Sequence, residues 1–539
     1  MKNYFTTELI PEPYLEFGDN YQSTDPKTGI GLGGFYSLTN QGHKSEVHYA
    51  IIGTKNNLQD TKDWMDDFKN RLQAEVKIID KTKTSLNEII DGQVHTNDDD
   101  DNDDDEDNDD LTELFPNADN NDSTDKVTYK ISKNLNPDFP GFIKNNIFQC
   151  EFVNDDSNNK NISSSKIDEI LEDSELKPID KALKIADLYI KAYTNLLEQA
   201  IFTKPNLCLI IIPKNVFKQI SSIGLGRGKY FNFRRYVKAQ LICQSNAIPV
   251  QIILEETIRG TKKSMQDKSM QGWNLAVSSY YKNGSIPWTL TLKEKHSCFI
   301  GISFHKIIDS DDNSVRASIA QAFNYEGKGI IFIGKQFDWN KKEMGTPAPH
   351  LMYDYAKEMI IKVLEQYKAF NNNLPPTRVV VHKTTDFWDT AINKDYAEVE
   401  GFRDGISEYL GENTEIDLVT IKSTNMKLLR EWGEYPVFRG TMMKMNDKMA
   451  LFYTTGYIPY YETFPGMHIP HGFEVSIYSG DNTIRKICEE ILALSKLNFN
   501  NCNYYDSLPI TLRFAKKVGE IVEYISEGDI APNRYFYYM

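Results

Sequence analysis

The chain has 539 residues, 40% hydrophobic and 12% aromatic, which is ordinary for a globular protein and enough for two or more packed domains. Its longest apolar runs, such as 207–213 and 330–333, are strand-sized and far short of the roughly 20 residues of a membrane span, and the N-terminus lacks the basic and apolar segments of a secretory signal. The net charge of −16 speaks against nucleic acid only superficially: residues 97–125 hold fifteen Asp or Glu and no Lys or Arg, so the rest carries −1 and can still form a local basic groove.

The six cysteines, Cys150, Cys208, Cys243, Cys298, Cys488 and Cys502, are scattered without CxxC spacing. That predicts a reducing cytoplasm and no structural zinc.

In chain order, Asp25-Pro26-Lys27-Thr28-Gly29 has the composition of a turn. Residues 46–54 (EVHYAIIGT) read as a strand entering a loop, 64–72 have helical apolar spacing, and 76–79 read as the next strand. The acidic run 97–125 self-repels and can bury almost nothing, so it is expected to be a disordered insertion. Residues 154–165 read as a loop and 182–200 as a helix. The apolar hexapeptide 207–212 (LCLIII) is a buried strand, 234–243 a helix and 249–254 (PVQIIL) another buried strand. A helix over 272–282 is closed by Asn283-Gly284. Strands follow at 296–304, 330–334 and 378–382, with a long helix over 349–370 and another opening near Phe402.

Buried strands alternating with helices predict an α/β protein with helices on both faces of its sheets. Ligands of such sheets gather at the carboxyl ends of strands, here Ile300-Gly301-Ile302-Ser303 and Val379-Val380-Val381-His382.

Several segments resemble a Piwi domain: CFIGISFHK (298–306), GIIFI (329–333), TRVVVHKTTDFWDTAI (377–392) and, most closely, LSKLNFNNCNYYDSLPITLRFAKKVG (494–519). With the first half, the resemblance spans nearly the whole chain. It implies a Rossmann-like Mid domain over 1–290 followed by an RNase H-like Piwi domain over 291–539. An active Piwi domain cuts nucleic acid with paired Mg²⁺ ions held by carboxylates. The positions that the resemblance assigns to those carboxylates carry Ser303, Thr384 and Lys516. Two hydroxyls and an ammonium cannot hold two divalent cations, so no nuclease activity is expected and the chain is not expected to be an enzyme. The alternative is an active guide-directed nuclease that uses displaced carboxylates, Asp309, Asp386 and Asp389 being the nearby acids.

A Mid domain holds the 5′-phosphate of a guide strand, which requires several donors and at least two positive charges. Arg234 and Lys238 in NFRRYVKAQL are four apart and share a helix face. The resemblance places a glutamine at Gln251, at the end of a short strand, and the last lysine of the set at Lys282. The family has an aromatic residue at the place of Arg234 for stacking on the first base; a guanidinium plane can stack instead. Tyr236 is close in sequence but on another face. The aromatic tail ending in Met539 either packs or, as in related proteins, brings a terminal carboxylate to a Mg²⁺ at the guide's 5′-phosphate, with Gln251 and Met539 as its ligands.

The start, IPEPYLEFG (10–18), DPKTGI (25–30) and YAIIGT (49–54), resembles short prokaryotic Argonautes, which begin with the Mid domain. That branch characteristically lacks the catalytic carboxylates and pairs with a second protein bearing an APAZ domain. The partner's effector is commonly a TIR or sirtuin-like domain, both NAD-hydrolysing, or a nuclease. The resemblance thus implies a cytoplasmic heterodimer of prokaryotic immunity, in which guide RNA pairs with complementary single-stranded DNA of an invader and the duplex activates a TIR-type effector. A nucleic-acid-binding scaffold without an effector is the remaining alternative. For the acidic run, a phosphate-mimicking segment competing for the basic channel stands beside the plain surface insertion.

Overall fold

The computed structural model describes residues 6–74, 137–199, 204–226, 229–262, 265–291, 296–306, 315–430, 436–464, 469–526 and 528–539. The acidic run 97–125 and the strand expected at 76–79 lie outside them. Two sheets organise the rest, and the α/β architecture is the one expected.

The smaller sheet is parallel, in the order Val250–Leu254, Leu207–Ile212, Glu46–Gly53, Glu151–Asn154, with the short strand Lys160–Asn161 also pairing with Glu46–Gly53. All six residues of Leu207–Ile212 are buried, as a strand covered on both faces must be. The helices Lys55–Asp67, Pro178–Gln199 and Phe233–Ile242 pack against the sheet. The long helix is anchored by two buried tyrosines, whose hydroxyls donate to the carbonyl oxygens of Ile211 (Tyr189, 2.9 Å) and Ile248 (Tyr193, 2.7 Å).

The larger sheet has nine strands, in the order Thr6–Leu9, Thr441–Asn446, Met449–Phe452, Phe473–Ser479, Glu415–Ser423, Arg378–Lys383, Ser297–Lys306, Val315–Phe323, Gly329–Asp338. The last three named form an antiparallel meander, and Arg378–Lys383 runs parallel to both its neighbours, the arrangement of an RNase H-like fold. Successive side chains of a strand point to opposite faces. Val379 and Val381 therefore join Met359, Val363 and Phe402 of the helices Tyr353–Phe370 and Glu398–Leu410, while Val380 joins the core that holds Ile487 and Phe514 of Ile484–Leu494 and Ile510–Val522. The helix Ile510–Val522 lies close on its strand: a Cβ at Gly301 would sit 1.9 Å from the Thr511 carbonyl oxygen, and His382 Nδ1 lies 2.8 Å from Thr511 Oγ1.

Some elements differ from expectation. Asp25–Gly29 opens the helix Pro26–Gly33 instead of making a turn: Pro26 stands in the first turn, where its missing N–H costs nothing, and the Asp25 side chain accepts from the Thr28 N–H at 2.7 Å. The helix expected at 64–72 runs over Lys55–Asp67, capped by Thr54. Within 154–165, the helix Ser164–Glu172 already begins. Strands Val315–Phe323, Glu415–Ser423, Thr441–Asn446, Met449–Phe452 and Phe473–Ser479 went unread. Thr6–Leu9 pairs with Thr441–Asn446, so the first described residues extend the larger sheet although the smaller one follows them in sequence.

Candidate nucleic-acid interface

The helix Phe233–Ile242 starts at Asn232, whose side-chain oxygen accepts from the Arg235 N–H at 3.0 Å and whose own N–H donates to the Tyr524 hydroxyl at 2.8 Å. Burial of Phe233, Val237 and Leu241 fixes the helix's rotation. Arg234, Arg235 and Lys238 are thereby turned toward one cavity, which Gln251 and Ile252 also line. The opposite wall comes from the far end of the chain: Asn500, then Phe514, Lys517, Glu520 and Ile521 of Ile510–Val522, then Tyr538 and Met539.

Three of the four residues expected to hold a guide end, Arg234, Lys238 and Gln251, line this cavity, and so does Met539. The fourth, Lys282, is 3% exposed and stands behind the wall, its ammonium donating to the Gln251 side-chain oxygen and, at 3.4 Å, to the Val250 carbonyl. Burial, and then the charge of Lys238, hold its pKa well below the usual lysine range. Lys238 donates to the main-chain oxygen of Met539. Gln251 is the second residue of its strand, so it stands at the amino end and not at the end where it was expected. The guanidinium of Arg234 lies 5.6 Å from the centre of the Phe217 ring. Tyr236 packs with Phe231 and Tyr524 at 5.2 and 5.9 Å.

The aromatic tail does pack, and packing is what delivers Met539. Tyr535 is fully buried, its ring 4.6 Å from Phe514 and 5.4 Å from Phe323, while the Tyr537 hydroxyl donates to the Ala247 carbonyl at 3.0 Å. Sequence reasoning passed over Arg235, Lys517 and Glu520. The available signal was their spacing: Lys517 and Glu520 are three apart and share a helix face. Arg234, Arg235, Lys238 and Lys517 against Glu520 leave the lining cationic in a chain whose net charge is −16.

The Mg²⁺ expected beside the phosphate does not fit this donor set. Gln251 Oε1 and the Met539 oxygen each accept from an ammonium, and Glu520 is paired with Arg235 at 2.9 Å. Lysine side chains already stand where a divalent ion would be held.

The positions assigned to catalytic carboxylates lie elsewhere. Ser303 is half-buried on Ser297–Lys306, paired across the sheet with Ile319, and Thr384 is exposed just past Lys383. The backbone of Lys516 lies in Ile510–Val522, but its side chain is outside the described residues, as is Asp309. Asp386 accepts from the Lys422 ammonium with both oxygens at 2.7 Å. Asp389 accepts from the Tyr478 hydroxyl at 2.5 Å and from the Ala391 and Ile392 N–H groups. The buried Glu398 is satisfied by Lys383 (2.5 Å), His350 (3.0 Å), Trp388 N–H (3.2 Å) and Leu351 N–H (3.1 Å). Among the described residues no group of three His, Cys, Asp or Glu is placed to hold a metal ion.

This fold is that of the Mid–Piwi half of Argonaute proteins. Argonaute from Clostridium butyricum, solved bound to a guide DNA and a 19-mer target DNA, superposes with a TM-score of 0.57 at 18% identity, over 99% of this chain and 55% of that one. Aquifex aeolicus Argonaute gives 0.52 at 13% identity, over 100% and 56%, and Drosophila Piwi 0.52 at 11%, over 99% and 56%. The chain thus spans just over half the length of these solved structures. No protein-family model matches the sequence, and no curated protein matches it. No helix among the described residues is long and apolar enough to cross a membrane.

Proposed function

We propose that this protein holds the 5′-phosphorylated end of a guide RNA in the pocket of Arg234, Lys238 and Gln251 and pairs the guide with complementary single-stranded DNA without cutting it. The observation that carries the reading is the convergence of Arg234, Arg235, Lys238 and Lys517 on one cavity, with Lys282 behind Gln251, in a chain with an Argonaute fold. A terminal phosphate monoester brings a charge of about −1.5 to −2 and three acceptor oxygens at neutral pH. Such a cluster answers it with charge-assisted hydrogen bonds. Base pairing supplies sequence specificity, and the protein contributes contacts to backbone and shape.

Recognition without cleavage is supported by the side-chain chemistry. Two-metal cleavage needs carboxylates that converge on both ions. Ser303 and Thr384 offer hydroxyls, and Asp386 and Asp389 are engaged by Lys422 and Tyr478. The output then belongs to a partner bearing an APAZ domain and an effector, foremost an NAD-hydrolysing TIR domain, with sirtuin-like and nuclease effectors as the other members of that class. The resemblance of residues 10–18, 25–30 and 49–54 to short prokaryotic Argonautes, cytoplasmic proteins of immunity against invading DNA, supports this pairing.

The test is purification with the neighbouring operon product, addition of 5′-phosphorylated guide RNA and matching single-stranded DNA, and measurement of both target integrity and NAD. Intact target with loss of NAD is the expected result. Cleavage of the target by this chain alone would overturn the reading and favour the displaced carboxylates.

A further inference from the structure

The proposed pocket contains an anion of its own. The carboxylate of Glu520 meets the Arg235 guanidinium at 2.9 Å, and both side chains line the cavity shared by Lys238, Gln251 and Lys517. We infer that Arg235 is a further ligand of the guide's terminal phosphate, and that Glu520 is an internal anion which the phosphate displaces. The inference rests on the phosphate-pocket reading and adds to it a residue and a competition.

Arg235 is suited to the exchange. Its main chain is fixed at the first turn of Phe233–Ile242 by the Asn232 cap, so only the side chain has to reorient. A guanidinium presents a planar fork that accepts a carboxylate or a phosphate in the same geometry. The two side chains are 28% and 17% exposed, a setting in which a single carboxylate–guanidinium pair contributes little net stability. A phosphate monoester carries more charge than a carboxylate and has an oxygen to spare for Lys238 and Lys517. The exchange therefore favours the phosphate while leaving Arg235 paired when the guide is absent. Arg235 belongs to the smaller-sheet half and Glu520 to the helix Ile510–Val522 on the larger sheet. Displacement thus replaces a direct ion pair between the two halves with one bridged by the guide.

The test compares the unaltered chain, Glu520→Gln, Arg235→Gln and the double variant for binding of one RNA sequence with a 5′-phosphate or a 5′-hydroxyl. Glu520→Gln, which frees Arg235 in advance, tightens the phosphorylated guide by about fivefold, the upper worth of one partly exposed ion pair, and leaves the hydroxyl guide within about twofold. Arg235→Gln weakens the phosphorylated guide by about tenfold and lowers its salt slope by about one. In the double variant the gain from removing Glu520 disappears, a coupling that a merely structural role would not produce. Unchanged or weaker binding of the phosphorylated guide by Glu520→Gln, or an equal shift for both guides, overturns the inference. A preference for the phosphorylated guide in the unaltered chain that survives such a failure leaves the pocket reading standing. Equal binding of both guides by the unaltered chain overturns the pocket reading as well.

Discussion

Lys282 and Gln251, 31 residues apart, meet with the buried ammonium donating to the glutamine's side-chain oxygen. The lysine ends a helix and the glutamine is the second residue of a strand; Gln251 lines the cavity, and its contact with Lys282 sets a titratable amine directly behind the cavity wall.

From this pair follows a proton-linked affinity. Burial and Lys238 depress the Lys282 pKa, and an arriving phosphate favours the charged form. Guide binding should take up a proton, and affinity should fall as pH rises through the depressed pKa. Titration calorimetry of a 5′-phosphorylated guide in buffers of different ionisation enthalpy measures the uptake. Lys282→Met should abolish it and weaken the guide by about ten- to a hundredfold, the loss of one charge-assisted hydrogen bond.

Glu523 sets a second pH dependence. Burial raises its carboxyl to about 7, with Arg235 opposing and Glu520 adding to the shift. Its ordinary value is 4.5, so the folded chain binds this proton more tightly than the unfolded one. Stability should therefore fall as pH rises from 4.5 to about 7, the whole penalty being present above that. Glu523→Gln should remove up to about 3 kcal/mol of this loss at pH 8, read by denaturant unfolding at pH 5 and pH 8.

Chelation should leave guide binding almost unchanged. With ammonium groups on Gln251 Oε1 and the Met539 oxygen, the phosphate meets lysine charge in place of a divalent ion. The Kd for a 5′-phosphorylated guide in EDTA should stay within about twofold of that in Mg²⁺ at matched ionic strength. A loss of tenfold or more would show that a metal is part of the pocket.

The larger sheet rests on a buried ion cluster. Arg378 is 2% exposed and donates to Asp417 at 2.7 Å and to Glu490 at 2.5 and 3.0 Å. Removing the cation strands two buried carboxylates, so Arg378→Ala should cost about 3–5 kcal/mol or more, seen as a lower unfolding midpoint in denaturant. Lys422→Ala, which removes the half-exposed partner of Asp386, should cost no more than about 1 kcal/mol.

Local pattern reached a good part of this molecule. The hexapeptide at 207–212 reads as a buried strand because six apolar residues in a row leave no face for water, and the run is short and ends in three isoleucines. Arg234 and Lys238 had to share a helix face, because four residues make about one turn. Asp25-Pro26 was misread because the same two residues that favour a turn also cap a helix, and nothing in five residues decides between them. The strands at 315–323 and 441–446 were missed for a related reason: Thr441–Asn446 is exposed or half-buried at four of its six positions, so its apolar signal is weak, and its hydrogen-bonding partners lie on other strands.

Residue chemistry and helical spacing thus specified the cationic half of the pocket, since those depend on neighbours within a turn or two. The other half was settled by tertiary packing. Lys238 and Met539 are 301 positions apart and meet because the Tyr535 ring seats between Phe323 and Phe514, and because Gly301, lacking a Cβ, lets the helix bearing Lys517 and Glu520 lie flat on its strand. Such contacts depend on how two sheets and their helices stack, and spacing along the chain carries no information about that.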